Sequence, residues 1–174
     1  MCKFLRVGYN PQRNIFYNIQ YIAQIHSTYL KYAKYLQDDF AHADKDIYSF
    51  LKNCPLFWVV LTHKNEYAGF VFLDNLCGNE NILYSAELTT CFEKPAWGEY
   101  TKYCAKIFLK KCFDELGLYK IKVQVYPDNF RTAALIKSSG FKYECTLKNE
   151  TLRGGKPQDI DVYSLYRDYY YKTR

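Results

Sequence analysis

The most constraining feature of the sequence is a change of periodicity that happens twice between residues 83 and 127. Residues 83–92, with Leu88 and Phe92, read as a strand. From Tyr100 to Leu116 the apolar residues Tyr103, Cys104, Ile107, Phe108, Cys112 and Phe113 fall on one helical stripe. Gly117 follows as a C-terminal stop. Lys120 to Val125 then alternates polar and apolar, as a half-buried strand does. A strand–helix–strand unit of this kind closes through a right-handed crossover, so its two strands are expected to lie parallel. The sheet that contains them is therefore a mixed one, because its other segments read as hairpins.

Those other segments follow in order. Residues 3–9 are predicted as a first strand. Residues 17–37 carry Ile19, Ile22, Ala23, Ile25, Tyr29, Leu30, Ala33 and Leu36 near helical spacing. A short helix is expected at 44–53, with Asp44 as its N-cap. Phe57 to Leu61 and Tyr67 to Leu73 are apolar runs on either side of the turn Lys64, Asn65 and Glu66. With the turn Gly78 to Asn81 and the strand 83–92 they make an antiparallel meander. A helix at about 130–138 ends at Gly140. Two final strands, about 141–152 and 158–167, are joined at Gly154 and Gly155. No repeat or low-complexity segment interrupts the 174 residues, and one domain spanning 1–174 is expected.

Composition excludes several classes. Hydrophobic residues are 49% and charged residues 24%, and 12 Phe and 19 Tyr supply ample surface to bury, so disorder is excluded. No apolar run reaches the roughly 20 residues of a membrane helix, and the first residues have no long apolar stretch of a signal peptide. A cytoplasmic location is expected. The seven Cys, at 2, 54, 77, 91, 104, 112 and 145, include no C-x-x-C pair. With three His in the chain, no metal site is expected, and the thiols are predicted to be buried and reduced. The net charge of +6 suits an anionic ligand such as a nucleotide cofactor, or a solvated surface equally well. No dense Lys/Arg run marks a nucleic-acid site.

Asn129, Thr132, Leu135, Gly140 and Phe141 lie at the spacing N-x-x-S/A-x-x-L-x-x-x-x-G-F. This resembles the signature of the GNAT acyltransferases. Asp159, Tyr163 and Leu165 resemble the D-x-x-x-Y-x-L ending of GNATs that acetylate protein N-termini or related amines. Ala86-Glu87-Leu88 and the run Phe113 to Leu118 match the same branch. The resemblance covers about residues 55–170. It implies an α/β (α+β) GNAT fold: a mixed, mostly antiparallel sheet with helices on both faces and a central parallel strand pair that splays apart. It also implies transfer of an acyl group from acetyl-CoA to an amine, such as a protein N-terminus or a small molecule. The pantetheine arm would add like a strand where the pair splays, near Cys91 and Phe92. The pyrophosphate would sit at the N-terminus of the following helix. Strands 83–92 and 120–126 are accordingly expected to diverge toward their C-terminal ends.

The family's pyrophosphate loop reads Q/R-x-x-G-x-G/A, with glycines that let the backbone approach the phosphates. Here Trp97, Gly98, Glu99, Tyr100, Thr101 and Lys102 occupy the region. The alignment that deletes one residue after Glu99 places Phe108, Leu109, Cys112 and Phe113 on the family's apolar positions. A glycine is lost either way. Glu99 adds negative charge beside the phosphates, which Lys102 partly offsets. The altered loop also resembles bacteriophage-encoded GNAT-like proteins, some of which serve virion assembly. A non-catalytic interaction module, with virion partners or a second copy of the chain, is therefore the alternative expectation.

Acyl transfer needs a neutral amine, so a base must take its proton. Glu87, on the strand beside the thioester, is the first candidate, and a solvent-facing strand residue is its plain alternative. Asp159 and Asp161 are further candidates, from the hairpin that would wall the acceptor site. The resemblance gives Thr132 a contact with the cofactor sulfur and Asn129 one with pantetheine; helix capping explains Asn129 as well. Where many GNATs carry a Tyr acid, this chain has Ile136, so that role has no bearer. Trp97, Tyr103 and Tyr163 read as packing residues. Cys91 as a nucleophile lacks a His nearby in sequence.

Overall fold

The computed structural model describes residues 1–36 and 44–172. The strands are β1 (Cys2–Asn10), β2 (Ile15–Tyr17), β3 (Leu56–Thr62), β4 (Tyr67–Gly78), β5 (Leu83–Phe92), β6 (Lys120–Val125), β7 (Lys142–Arg153) and β8 (Lys156–Tyr166). The helices are α1 (Ile22–Tyr32), α2 (Asp44–Asn53), α3 (Glu99–Asp114), α4 (Phe130–Ser138) and α5 (Arg167–Lys172). The strands form one sheet in the order β2-β1-β3-β4-β5-β6-β8-β7, with β5 and β6 parallel. No helix among the described residues is long and apolar enough to cross a membrane.

The chain divides into two compact units, Met1–Asp74 with Thr89–Tyr103, and Asn75–Leu88 with Cys104–Arg174. The first is built around β3, which is buried on both faces as its unbroken apolar run requires. Phe57 on β3 stacks against Phe70 and Phe72 of β4, at 5.5 and 5.6 Å between ring centroids. Ile22, Ile25 and Tyr29 of α1 and Ile47 and Leu51 of α2 close this core. Their spacings of three and four put each set on one helix face. Gly69 of β4 lies close against β5: a Cβ there would stand 2.3 Å from the Cys91 carbonyl oxygen.

In the second unit β6 alternates as its sequence does, burying Ile121, Val123 and Val125. It pairs antiparallel with β8, which pairs with β7 in the final hairpin. Its parallel register with β5 runs from Ser85↔Lys120 to Glu87↔Lys122. Beyond that register β5 continues to Phe92 and β6 to Val125.

Several expectations need correction. The helix predicted over 17–37 is shorter: α1 spans Ile22–Tyr32, between 3-10 turns at Ile19–Tyr21 and Ala33–Tyr35, and Leu36 is extended. The last residue of that prediction, and the side chain of Asp44, lie outside the described residues. Neither β2 nor α5 was legible. The former is three residues long, and the latter is a polar, Tyr-rich segment without an apolar stripe of its own. None of the seven Cys is in a disulfide, but Cys77 and Cys145 are exposed, against the expectation of uniform burial.

Candidate active site

In the first unit, the loop after β5 is fixed by short-range bonds. The Glu93 N–H donates to the Ala68 carbonyl at 2.9 Å and keeps the end of β5 on β4. A 3-10 turn covers Lys94–Ala96. The Trp97 indole N–H donates to the Phe92 carbonyl at 2.8 Å, and the ring lies 5.6 Å from that of Tyr32. Gly98 has φ +91, with nothing within 4 Å of the place a Cβ would take. Glycine is therefore required here by backbone conformation and not by crowding. The helix ladder of α3 begins with the Lys102 N–H on the Gly98 carbonyl at 3.1 Å. The N–H groups of Glu99 and Thr101 precede that bond, in the first turn, where an α-helix has no i−4 carbonyl to offer.

The side chains of this first turn are tied down. The Thr101 hydroxyl, buried, donates to the Ala96 carbonyl at 2.6 Å. The Tyr100 hydroxyl donates to the Leu61 carbonyl at 3.1 Å, which holds its ring toward β3. Glu99 and Lys102 form an exposed ion pair at 2.7 Å, so the extra negative charge has the counter-charge expected of it. Phe92 is half-buried, while Cys91 is buried and its thiol is pushed up to about 12 by that burial, with Glu93 adding to the effect. A thiol so hard to ionise is unsuited to nucleophilic attack.

In the second unit, Glu87 is half-buried on β5. Its Oε2 accepts from the Asn75 side-chain amide at 3.3 Å and from the Gln124 side-chain amide at 2.9 Å. Oε1 has no hydrogen-bond partner among the described residues.

The profile of the acetyltransferase (GNAT) domain matches residues 20–142. The chain belongs to the GNAT acetyltransferase family. Solved structures agree on the fold. The spermidine N-acetyltransferase of Vibrio cholerae, in complex with CoA and spermine, is 18% identical with a TM-score of 0.79, over 98% of this chain and 97% of that one. A GNAT-family acetyltransferase of Bacillus anthracis is 16% identical with a TM-score of 0.73, over 95% and 99% of the two chains. No curated protein sequence is significantly similar.

The remaining candidates of this GNAT chain are engaged in structural bonds. The Asn129 side chain caps α4 by accepting from the Thr132 N–H at 3.4 Å. Thr132 itself is half-buried in the first turn. Asp159 pairs with Lys148 at 2.7 Å and accepts from the Asn149 N–H at 3.0 Å. The Lys148 hydrogen bond, then that of Asn149, hold its carboxyl below the ordinary range, which disfavours it as a base. Asp161 accepts from the Thr146 hydroxyl at 2.6 Å. Tyr163 is buried as a packing residue, whereas Trp97 and Tyr103 are exposed, contrary to expectation.

Sequence reading missed a polar cluster in the first unit. Glu93 accepts from the Thr28 hydroxyl at 2.9 Å and pairs with Lys31. Burial pushes its carboxyl up, but the Lys31 and Thr28 hydrogen bonds outweigh that and hold it low. Tyr67 and Glu93, with Ala23, Gln24, Ser27 and Thr28, line a cavity of about 270 Å³. Only the helical register of α1 hinted at it, by placing polar Gln24, Ser27 and Thr28 among apolar positions.

Proposed function

We propose that this GNAT chain is an N-acetyltransferase that moves the acetyl group of acetyl-CoA to an amine by direct attack. The observation that carries the reading is the start of α3. A positive-φ glycine leads into the first-turn N–H groups of Glu99 and Thr101, and the helix dipole adds to them. Such a terminus suits a pyrophosphate even without the family's central glycine. The bonds of Tyr100 to Leu61 and Thr101 to Ala96 direct both side chains toward protein partners. The net charge of +6 favours encounter with an anionic co-substrate. In this reading the pantetheine arm follows the end of β5 along Cys91 and Phe92.

Glu87 is the base of this reading. An ammonium acceptor loses one proton to Glu87 Oε1, and the freed lone pair attacks the thioester carbon. A C–N bond forms and the carbonyl π electrons move to oxygen. As they return, the C–S bond breaks. The leaving thiolate takes the second proton of the amine nitrogen through solvent, since Ile136 offers no acid. The products are an acetamide and coenzyme A. The acceptor class is a primary amine; spermidine and a peptide with a free N-terminus are the two to try first, in the cytoplasm where acetyl-CoA is made.

The test is a thermal-shift titration with coenzyme A. Binding at a hundredfold excess over the dissociation constant stabilises the fold by about 2.7 kcal/mol. No shift at millimolar coenzyme A would overturn the reading and leave a non-catalytic interaction module, of the kind found in virion assembly.

A further inference from the structure

We propose that Asn75 and Gln124 are positioning residues that hold Glu87 by one carboxylate oxygen and leave the other to take the acceptor's proton. This rests on the reading of Glu87 as the base. Both amides reach the same atom, Oε2, at 3.3 and 2.9 Å. Oε1 is left with no partner among the described residues. A carboxylate on a half-exposed strand ordinarily samples several rotamers. Two donors on one oxygen select one of them and fix which oxygen stays open.

The backbone prepares both donors. Asn75 has φ +44, a left-handed conformation that Asn tolerates better than other side-chain-bearing residues. That twist in β4 aims its amide at Glu87. Gln124 reaches Glu87 by strand alternation. Ile121, Val123 and Val125 are buried on one face of β6, so Lys122 and Gln124 share the other. Glu87 stands in register with Lys122, and Gln124 is the diagonal neighbour of that pair.

The chemistry of the donors matters as much as their geometry. Lys122 is the charged group beside Glu87, yet it forms no ion pair with it. A cation in contact would favour the ionised carboxylate strongly and weaken it as a base. Gln124 and Asn75 thus supply direction without a counter-charge.

The experiment uses the full chain with acetyl-CoA and, in parallel, spermidine and a free-N-terminus peptide. Gln124→Met keeps length and removes the donors; Asn75→Gly keeps the positive φ and removes the amide. Each is expected to lower kcat, Gln124→Met by about tenfold and Asn75→Gly by less, with KM for acetyl-CoA within about twofold. In a Glu87→Gln background neither is expected to lower the rate further, because residues acting through one group are not additive. Additive losses would assign both residues a merely structural role and overturn the inference. If Glu87→Gln itself keeps the full rate, the base reading fails instead. A second measurement needs no turnover. The Gln124 side-chain amide resonance should move between the wild-type chain and Glu87→Gln at one neutral pH, because the variant takes away its carboxylate acceptor. A Gln124 amide indifferent to Glu87 would overturn the proposal.

Discussion

The two regions that carry the proposed chemistry are built on opposite plans. The loop from Trp97 to Lys102, in the first unit, presents backbone: one positive-φ glycine and the opening N–H groups of α3, with side chains turned to Leu61 and Ala96. The Glu87 region, in the second unit, presents one side-chain atom held by two other side chains. A backbone site tolerates changes of residue type as long as φ/ψ and the helix start survive. The turn before α3 accordingly forms with Glu99, Tyr100 and Thr101 directly after Gly98. A side-chain site has no such latitude, since removing one amide or one carboxylate removes the function of that atom.

That contrast can be broken most directly at Glu87. Glu87→Gln removes the proposed base and leaves the shape, so kcat should fall by about 10²–10⁴-fold while the melting temperature hardly moves. Turnover equal to wild type would place the chemistry elsewhere. Gly98→Val attacks the backbone plan. With no neighbour within 4 Å to clash, its cost is the conformation itself, about 1–3 kcal/mol of stability. The coenzyme A thermal shift should shrink with it. A Val variant with unchanged denaturant midpoint would show that the turn does not depend on φ +91.

A milder probe is Thr101→Val, which keeps volume and deletes the hydroxyl on the Ala96 carbonyl. The expected loss is about 1 kcal/mol in urea unfolding, with kcat little changed. A large kcat effect at constant stability would move Thr101 from support to chemistry. The smallest effect is expected at Lys31→Met. Glu93 is held low in the folded chain, so its contribution to stability is full above the ordinary carboxylate value and is lost as pH falls through the folded one. Lys31, held above its ordinary value by its hydrogen bond to Glu93 despite some desolvation, contributes below its unfolded value and loses this at strongly alkaline pH. The wild-type advantage over Lys31→Met should therefore be flat near neutrality and close below about pH 4. Solvent screening keeps it small. An advantage that grew on acidification would refute the assignment.

The sequence by itself determined the order of elements and the parallel pairing of β5 with β6. It also determined the limits of α4 and the position of the loop before α3. Each of these is written in short stretches: a period of two or of 3.6, a Gly after a helix, a hairpin turn. Glu87 was legible as a candidate, because its motif and strand placement are local. What holds it was not, since Asn75 lies 12 residues away and Gln124 37 residues away, and nothing in a periodicity joins them. The same is true of Thr28 on Glu93 at 65 residues and Tyr100 on Leu61 at 39. Asp159 looked like a candidate base until the hairpin register brought Lys148 beside it. Propensity and pattern act over a few residues, whereas the partner of a polar atom is chosen by sheet register and helix packing. Only the tertiary structure could decide which oxygen of which carboxylate stays open.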